Sequence, residues 1–181
     1  MSSDEELVKL CIDNNREAQK MLFERYASKM MSICLRYTSS HEDAKDILQD
    51  GFVKVFAQLE KFEFKSTLQT WMSRVFTNLA INKVTRGESK YSYVSIEDEV
   101  NLAYEETTED LGKWGGLTPE IVMTYVRALP EIYRVVLNMY AVDGFSHQQI
   151  ADTLDISVGS SKSRLSRARV ILKENIKKDS E

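Results

Sequence analysis

Gly144-Phe-Ser-His-Gln-Gln-Ile-Ala-Asp-Thr-Leu-Asp-Ile-Ser-Val-Gly-Ser-Ser-Lys-Ser-Arg-Leu-Ser-Arg-Ala-Arg169 reads as two helices separated by a tight turn. Ser146 stands at an N-cap, and Gln149 three residues on completes a capping box, in which each side chain satisfies a free backbone donor. The helix so started runs to about Leu154, with Ile150, Ala151 and Leu154 facing inward. The small Ala151 lets a second helix cross closely. Asp155 falls where a left-handed backbone is needed, a conformation that Gly adopts freely and Asp tolerates at some cost. Ser157 caps the second helix. That helix carries Lys162, Arg164, Arg167 and Arg169 within eight residues, while Val158, Leu165 and Ala168 are left to pack it. The pattern is a helix-turn-helix with a basic recognition helix. The rival reading is a helical hairpin with a merely solvated charged face. It needs two caps, a small crossing residue and one-sided charge to coincide by accident.

Charge is segregated around this motif. The formal net charge of the 181 residues is −4, which looks wrong for a nucleic-acid binder until it is divided. From Ile156 to Lys178 seven Lys or Arg face one acidic residue, Glu174; from Ser95 to Gly112 seven acidic residues stand with no basic one. The average conceals a basic end and an acidic middle. In that middle, from about Gly87 to Thr118, helical periodicity fades and Gly, Ser, Thr and Glu dominate. So long a structureless run is improbable inside one compact domain. An all-α chain of two small helical domains, 1–90 and 118–181, joined by a flexible acidic linker, 91–117, is therefore expected, with the helix-turn-helix in the second. Hydrophobic residues make up 43%, enough for two helical cores.

Ahead of the motif, Thr118-Pro119-Glu120 restarts order with a cap and a proline at the first helical position. Ile121, Val122, Tyr125, Val126 and Leu129 form one apolar stripe. Pro130 opens the next helix, striped by Tyr133, Val136, Leu137 and Tyr140. In the N-terminal half a short helix from about Glu5 to Asp13 breaks at Asn14-Asn15. A longer one from Arg16 carries Leu22, Tyr26, Met30, Ile33 and Tyr37 at steps of three and four. The next, His41 to about Lys61, buries Ala44, Ile47, Leu48, Val55, Phe56 and Leu59. Its other side shows Asp46, Gln49 and Asp50 as one polar patch, commonly just a solvated face but here also able to grip a partner helix. Ser66, with Gln69 in capping-box spacing, starts a helix to about Thr85 with Leu68, Met72, Val75 and Leu79 inward. Arg74, Asn78, Asn82 and Arg86 recur every four residues on another face. With Trp71, Lys83 and the loop Phe62-Glu63-Phe64-Lys65, this face mixes cations, amides and rings. The mixture suits unpaired bases, which stack on rings while Lys and Arg hold phosphates. Trp71 and Phe76 taken singly read better as core residues.

Other function classes find little support. Cys11 and Cys34 lie in apolar helical patterns without a CxxC pair, so both read as core residues and no metal or cofactor is expected. His41 and His147 each stand at a helix start, and no nucleophile has an evident base, so the chain is not expected to be an enzyme. A stand-alone regulator would need a receiver or ligand pocket that the N-terminal half does not offer. No apolar run approaches a membrane span, and the first six residues, Met-Ser-Ser-Asp-Glu-Glu, are acidic where a signal peptide is basic. A cytoplasmic location without membrane insertion is expected.

Three further stretches carry a resemblance. Asp-Ile-Leu-Gln-Asp-Gly-Phe (46–52), Thr-Trp-Met-Ser-Arg-Val-Phe-Thr-Asn-Leu-Ala (70–80), and Leu129-Pro130-Glu131 with the recognition helix 158–169 resemble, in order and spacing, the extracytoplasmic-function group of bacterial RNA polymerase sigma factors. The resemblance implies promoter-specific transcription initiation, with core RNA polymerase, promoter DNA and an anti-sigma factor as partners. It places Asp46, Gln49, Asp50 and Phe52 against the clamp helices of the largest polymerase subunit. It places Phe62, Lys65, Ser66 and the loop to Thr70, with Trp71, Arg74 and Asn78, at melted minus-10 DNA, where a flipped base is held. Lys83 and Arg86 lie near its backbone. Lys162, Ser163, Ser166 and Arg167, with Arg164 and Arg169, face the minus-35 duplex. The chain departs from the family's pattern where Glu63-Phe64 replaces a common Arg-Gly, Asp155 a usual Gly and Ser161 a usual Val. Ser161 is expected to bond back to the Ser157 carbonyl.

Overall fold

The computed structural model describes residues 3–87 and 118–179. They form α1 (Asp4–Ile12), α2 (Arg16–Tyr37), α3 (His41–Gln58) with a 3-10 turn at Leu59–Lys61, α4 (Leu68–Gly87), α5 (Pro119–Ala128), α6 (Glu131–Leu137) with a π turn at Asn138–Val142, α7 (His147–Leu154) and α8 (Val158–Lys178). No strand occurs among the described residues. The helices fall into two compact units divided between Arg86 and Gly87. The stretch assigned to the linker, 91–117, lies outside the described residues.

In the first unit, local polar chemistry sets where helices start. Ser3 and Glu6 form a capping box on α1, Asn15 caps α2 and Ser40 caps α3. Asn14 makes the break between α1 and α2 in the left-handed region, φ 57°, which Asn tolerates better than most residues. Asp4 then ties the two helices, accepting from Arg25 Nη1 at 2.8 Å and Tyr26 Oη at 2.6 Å. The predicted α2 stripe, Leu22, Tyr26, Met30, Ile33 and Tyr37, is buried along its whole length.

Two expectations for α4 are corrected. Thr67 rather than Ser66 caps it, Thr67 Oγ1 accepting from Thr70 N at 3.2 Å, while Gln69 turns away to accept from Lys29 Nζ at 2.7 Å. The buried stripe is Leu68, Met72, Phe76 and Ala80 with Ile81 and Val84, whereas Val75 and Leu79 are only half-buried. The cause is a close crossing. A Cβ added to Gly51 of α3 would lie 2.1 Å from Phe76 Cε1, so the Phe76 ring occupies the volume a side chain at 51 would need. Fully burying such a ring stabilises by about 1.5–3 kcal/mol, which favours turning this face of α4 inward.

In the second unit, Thr118 caps α5, whose stripe is narrower than expected: Val126 and Leu129 are buried but Ile121 is exposed. Arg134, only 2% exposed, donates through Nη1 to the carbonyls of Arg127 at 2.9 Å and Leu129 at 3.2 Å. A cation thus satisfies carbonyls at the end of α5, where the helix dipole favours it. The helix-turn-helix is built as expected. Ser146 and Gln149 bond reciprocally, at 2.8 and 3.2 Å. Asp155 is left-handed at φ 52°, ψ 51°, and Ser157 caps α8 through Ser160 N at 2.9 Å. Ser161 behaves differently from its expectation. Fully buried, it pairs its hydroxyl with His147 Nδ1 at 2.9 Å, and the His147 ring stacks on Tyr140 at 4.6 Å. The hydroxyl therefore joins α7 to α8 instead of bonding back along its own helix.

Candidate nucleic-acid interface

Helix α8 buries Ser161, Arg164, Leu165, Ala168 and Leu172, an i, i+3, i+4, i+7 stripe that leaves the opposite face to solvent. Lys162, Ser163, Arg167 and Arg169 are exposed there, with Ser166 half-buried at the edge. Arg164 departs from its assignment. It is 6% exposed, because its place in the buried stripe overrides the outward preference of a guanidinium. What remains outside is a strip of cations and hydroxyls, the donors that phosphates and guanine edges accept from.

A second face lies on α4 and the loop before it. Arg74, Asn78, Asn82 and Lys83 are exposed, Trp71 and Ser66 half-buried; the side chain of Arg86 lies outside the described residues. From Lys65 to Arg86 the chain carries Lys65, Arg74, Lys83 and Arg86 and no acidic residue. Phe62, assigned to the base pocket, is 6% exposed, covered by Phe64 at 4.6 Å and Trp71 at 5.2 Å between ring centres. Lys65 is exposed and pairs with Glu63 at 2.5 Å. Phe64 is the exposed ring of this loop.

The third face is on α3. Asp46, Gln49 and Asp50 are exposed, and Val53, 65% exposed, continues the patch one turn on. Its signal was present in the sequence, an apolar residue seven positions after Asp46 on the polar side. Phe52 departs from its assignment. It is buried among Phe23, Phe56 and Phe76, with ring centres 4.6, 6.1 and 5.4 Å away. Asp46 also accepts from Lys83 Nζ of α4 at 3.4 Å, so the acidic patch and the basic face meet at one ion pair. Among the described residues no cluster of His, Cys, Asp or Glu is arranged to hold a metal, and no helix is long and apolar enough to cross a membrane.

The chain is similar to known proteins along nearly its whole length. Residues 22–90 match the family model Sigma-70 region 2 and residues 120–172 the model Sigma-70, region 4. The ECF RNA polymerase sigma-E factor of Escherichia coli (strain K12) is 30% identical over 179 residues, covering 92% of this chain and 91% of the relative. That of Haemophilus influenzae is 28% identical over 186 residues, 96% and 95% of the two chains. The sigma factor SigW of Bacillus subtilis is 25% identical over 90% and 91%. A solved sigma factor, RpoE in complex with the anti-sigma factor NepR from Bartonella quintana, is 23% identical with a TM-score of 0.49, covering 87% of this chain and 96% of its own. With both sigma-70 modules in order and 30% identity maintained across almost the full length, the chain belongs to the ECF group of RNA polymerase sigma factors, which direct promoter-specific transcription initiation.

Proposed function

We propose that the three faces divide the work of initiation. The patch Asp46, Gln49, Asp50 and Val53 docks on the clamp helices of core polymerase. The exposed face of α8, with Lys162, Ser163, Ser166, Arg167 and Arg169, reads the minus-35 duplex. The face of α4 and its loop, with Lys65, Ser66, Trp71, Arg74, Asn78, Lys83 and Arg86, holds melted minus-10 DNA. Residues 1–90 are the region 2 domain, 118–181 the region 4 domain, and 91–117 the linker between them. Melting needs no hydrolysis in this scheme, because capturing an extruded base in a pocket offsets the few kcal/mol of unpairing. An anti-sigma factor is the proposed partner of the free chain on the ground of family membership, and the cytoplasm, where polymerase and DNA meet, the proposed location.

The observation that carries the reading is the two-sidedness of α8: Leu165, Ala168 and Leu172 hold it to its domain while Lys162 and Arg167 stand outside. An Arg or Lys to guanine contact discriminates between bases by about 1–3 kcal/mol. Lys162→Ala and Arg167→Ala are each expected to relax base preference upstream in a promoter-variant library without loss of helicity. Unchanged preference in both variants would refute the assignment of this face. For the polymerase face, Asp46→Lys with Asp50→Lys reverses the charge of two exposed carboxylates, and like-charge juxtaposition at an interface costs several kcal/mol. Core pull-down is expected to fail while the melting temperature holds. A folded double mutant that binds core as tightly as the parent would remove α3 from the interface.

A further inference from the structure

The end of α8 that carries Lys162 and Ser163 has little apolar hold on its domain. Leu165, Ala168, Leu172 and Ile176 are buried further along, but from Val158 to Arg164 the buried side chains are Ser161 and Arg164, and Val158 is only half-buried. Apolar contact resists separation but has no direction, so packing from Leu165 onward leaves the angle of the first two turns loosely set. A hydrogen bond weakens steeply with misalignment and does set an angle. Ser161, 0% exposed, makes one: its Oγ lies 2.9 Å from Nδ1 of His147 on α7. The hydroxyls of Ser157 and Ser160 bond each other at 2.9 Å and so stay within the start of α8.

His147 is itself held from two sides. It is the first residue of α7, inside the capping box of Ser146 and Gln149, which fixes its backbone. Its ring lies on that of Tyr140, 4.6 Å between centres with 22° between planes. Tyr140 belongs to the π turn Asn138–Val142, and such turns recur at functional positions. Asn138 and Met139 ahead of it are fully buried. Phe145 N donates to the Met139 carbonyl at 2.9 Å, closing the loop that leads to Ser146. The π turn, α7 and α8 thus converge on one buried hydroxyl, whose neighbour in the chain is Lys162.

We propose that His147 is a positioning residue for promoter reading: through Ser161 it fixes the angle of the first two turns of α8 and so aims Lys162 at its base pair. The inference rests on the assignment of the α8 face to the minus-35 duplex. Without the bond, the end of α8 swings about the packed turn of Leu165 and Ala168. Lys162 stands about 7 Å along the axis from that pivot, so a swing of about 15° carries it roughly 2 Å, enough to break a hydrogen bond to a base edge. Arg167 lies between Leu165 and Ala168 in the chain, at the pivot, and moves less. Loss of the clamp therefore blurs the Lys162 end of the site more than the Arg167 end.

The experiment uses polymerase holoenzyme reconstituted with the full chain and a promoter library randomised over the minus-35 element. Base preference and the salt dependence of affinity are both read. Lys162→Ala and Arg167→Ala first mark the base pairs that each residue reads. Ser161→Ala removes only the hydroxyl. His147→Phe keeps a ring for Tyr140 but lacks Nδ1, whereas His147→Asn keeps a polar atom at the reach of Nδ1 but lacks the ring. Ser161→Ala and His147→Phe are expected to lose about fivefold or more of discrimination at the Lys162 base pairs, the lower bound for a Lys contact to guanine, and less at those of Arg167. Their slope of log affinity against log salt should match the parent's, because no phosphate contact is removed. His147→Asn is expected to retain the preference. Unchanged preference in Ser161→Ala overturns the proposal, and so does an equal loss at both sets of base pairs, which would show that the bond serves the fold alone. A loss in His147→Asn as large as in His147→Phe would transfer the role from the hydrogen bond to the ring stack and overturn it too. If Lys162→Ala and Arg167→Ala themselves leave preference unchanged, the assignment of α8 fails, and the clamp with it.

Discussion

Replacing Gly51 by Ala tests the crossing that sets the first unit. The added Cβ would meet Phe76 at 2.1 Å from Cε1, 2.5 Å from Cζ and 2.7 Å from Cδ1. Phe76 is fully buried and lies edge-on to Phe52 at 5.4 Å, so its ring has no free volume to enter. Restoring ordinary carbon contacts requires α3 and α4 to part by about 1.5 Å. Forcing extra volume into a packed core costs about 1–3 kcal/mol, and this overlap belongs at the upper end. Against it, Ala gains about 1 kcal/mol over Gly in a helix interior. The net loss is about 2 kcal/mol, and for a unit of this size the first transition should move down by roughly 8–16 °C. Circular dichroism of the full chain during heating and in urea reads it. The double variant Gly51→Ala with Phe76→Leu should lose less than the two single variants together, because the smaller side chain vacates the contested volume. A Gly51→Ala chain as stable as its parent would show that helix propensity went unopposed and that the crossing is looser than described.

Three further outcomes follow from particular groups. Asp155→Gly, at φ 52°, should stabilise the helix-turn-helix unit by about 1 kcal/mol in urea unfolding by relieving a left-handed Asp; a loss would show that the Asp155 side chain itself contributes to the turn. Burial pushes the Cys34 thiol up to about 12 and raises that of Cys11 as well, so neither should react with a thiol reagent until the chain is unfolded; rapid labelling of the native chain would place a thiol at the surface. Burial and then the bond to Asp4 push the Tyr26 hydroxyl up from 10.0 to about 12. The fold therefore favours its protonated form, giving stability that is present below pH 10 and lost as pH rises through 12. Tyr26→Phe should flatten that alkaline loss in urea midpoints taken across the window, and an unchanged slope would assign the loss to other groups.

The features legible in the sequence are those closed within a few residues. Ser146 with Gln149 and Ser157 with Ser160 bond across three positions, so residue type and spacing suffice to place them. Asp155 is likewise a local backbone requirement, and the α2 stripe is a period the chain displays openly. The all-helical class, the helix-turn-helix and the exposure of Lys162, Arg167, Asp46, Asp50 and Asn78 came with these. Arg164 had a legible signal that residue type outweighed: its spacing from Leu165, Ala168 and Leu172 marks the buried side.

Tertiary structure decided what depends on partners distant in the chain. Helix α4 is apolar on more than one side, so periodicity alone does not choose between Val75 with Leu79 and Phe76 with Ala80; Gly51, on another helix, does. Arg134 is interior because the end of α5 presents carbonyls to it, and Ser161 because His147 does the same for a hydroxyl. Asp46 and Lys83 are separated by 37 positions and meet only across the α3–α4 crossing. The left-handed Phe64 contradicts its residue type, since the cost of that backbone is borne by the ring's contact with Phe62 and by the loop that holds it. Local rules count energies within one turn of helix, whereas which face is buried depends on the shape of the neighbouring helix, and that shape exists only in the folded chain.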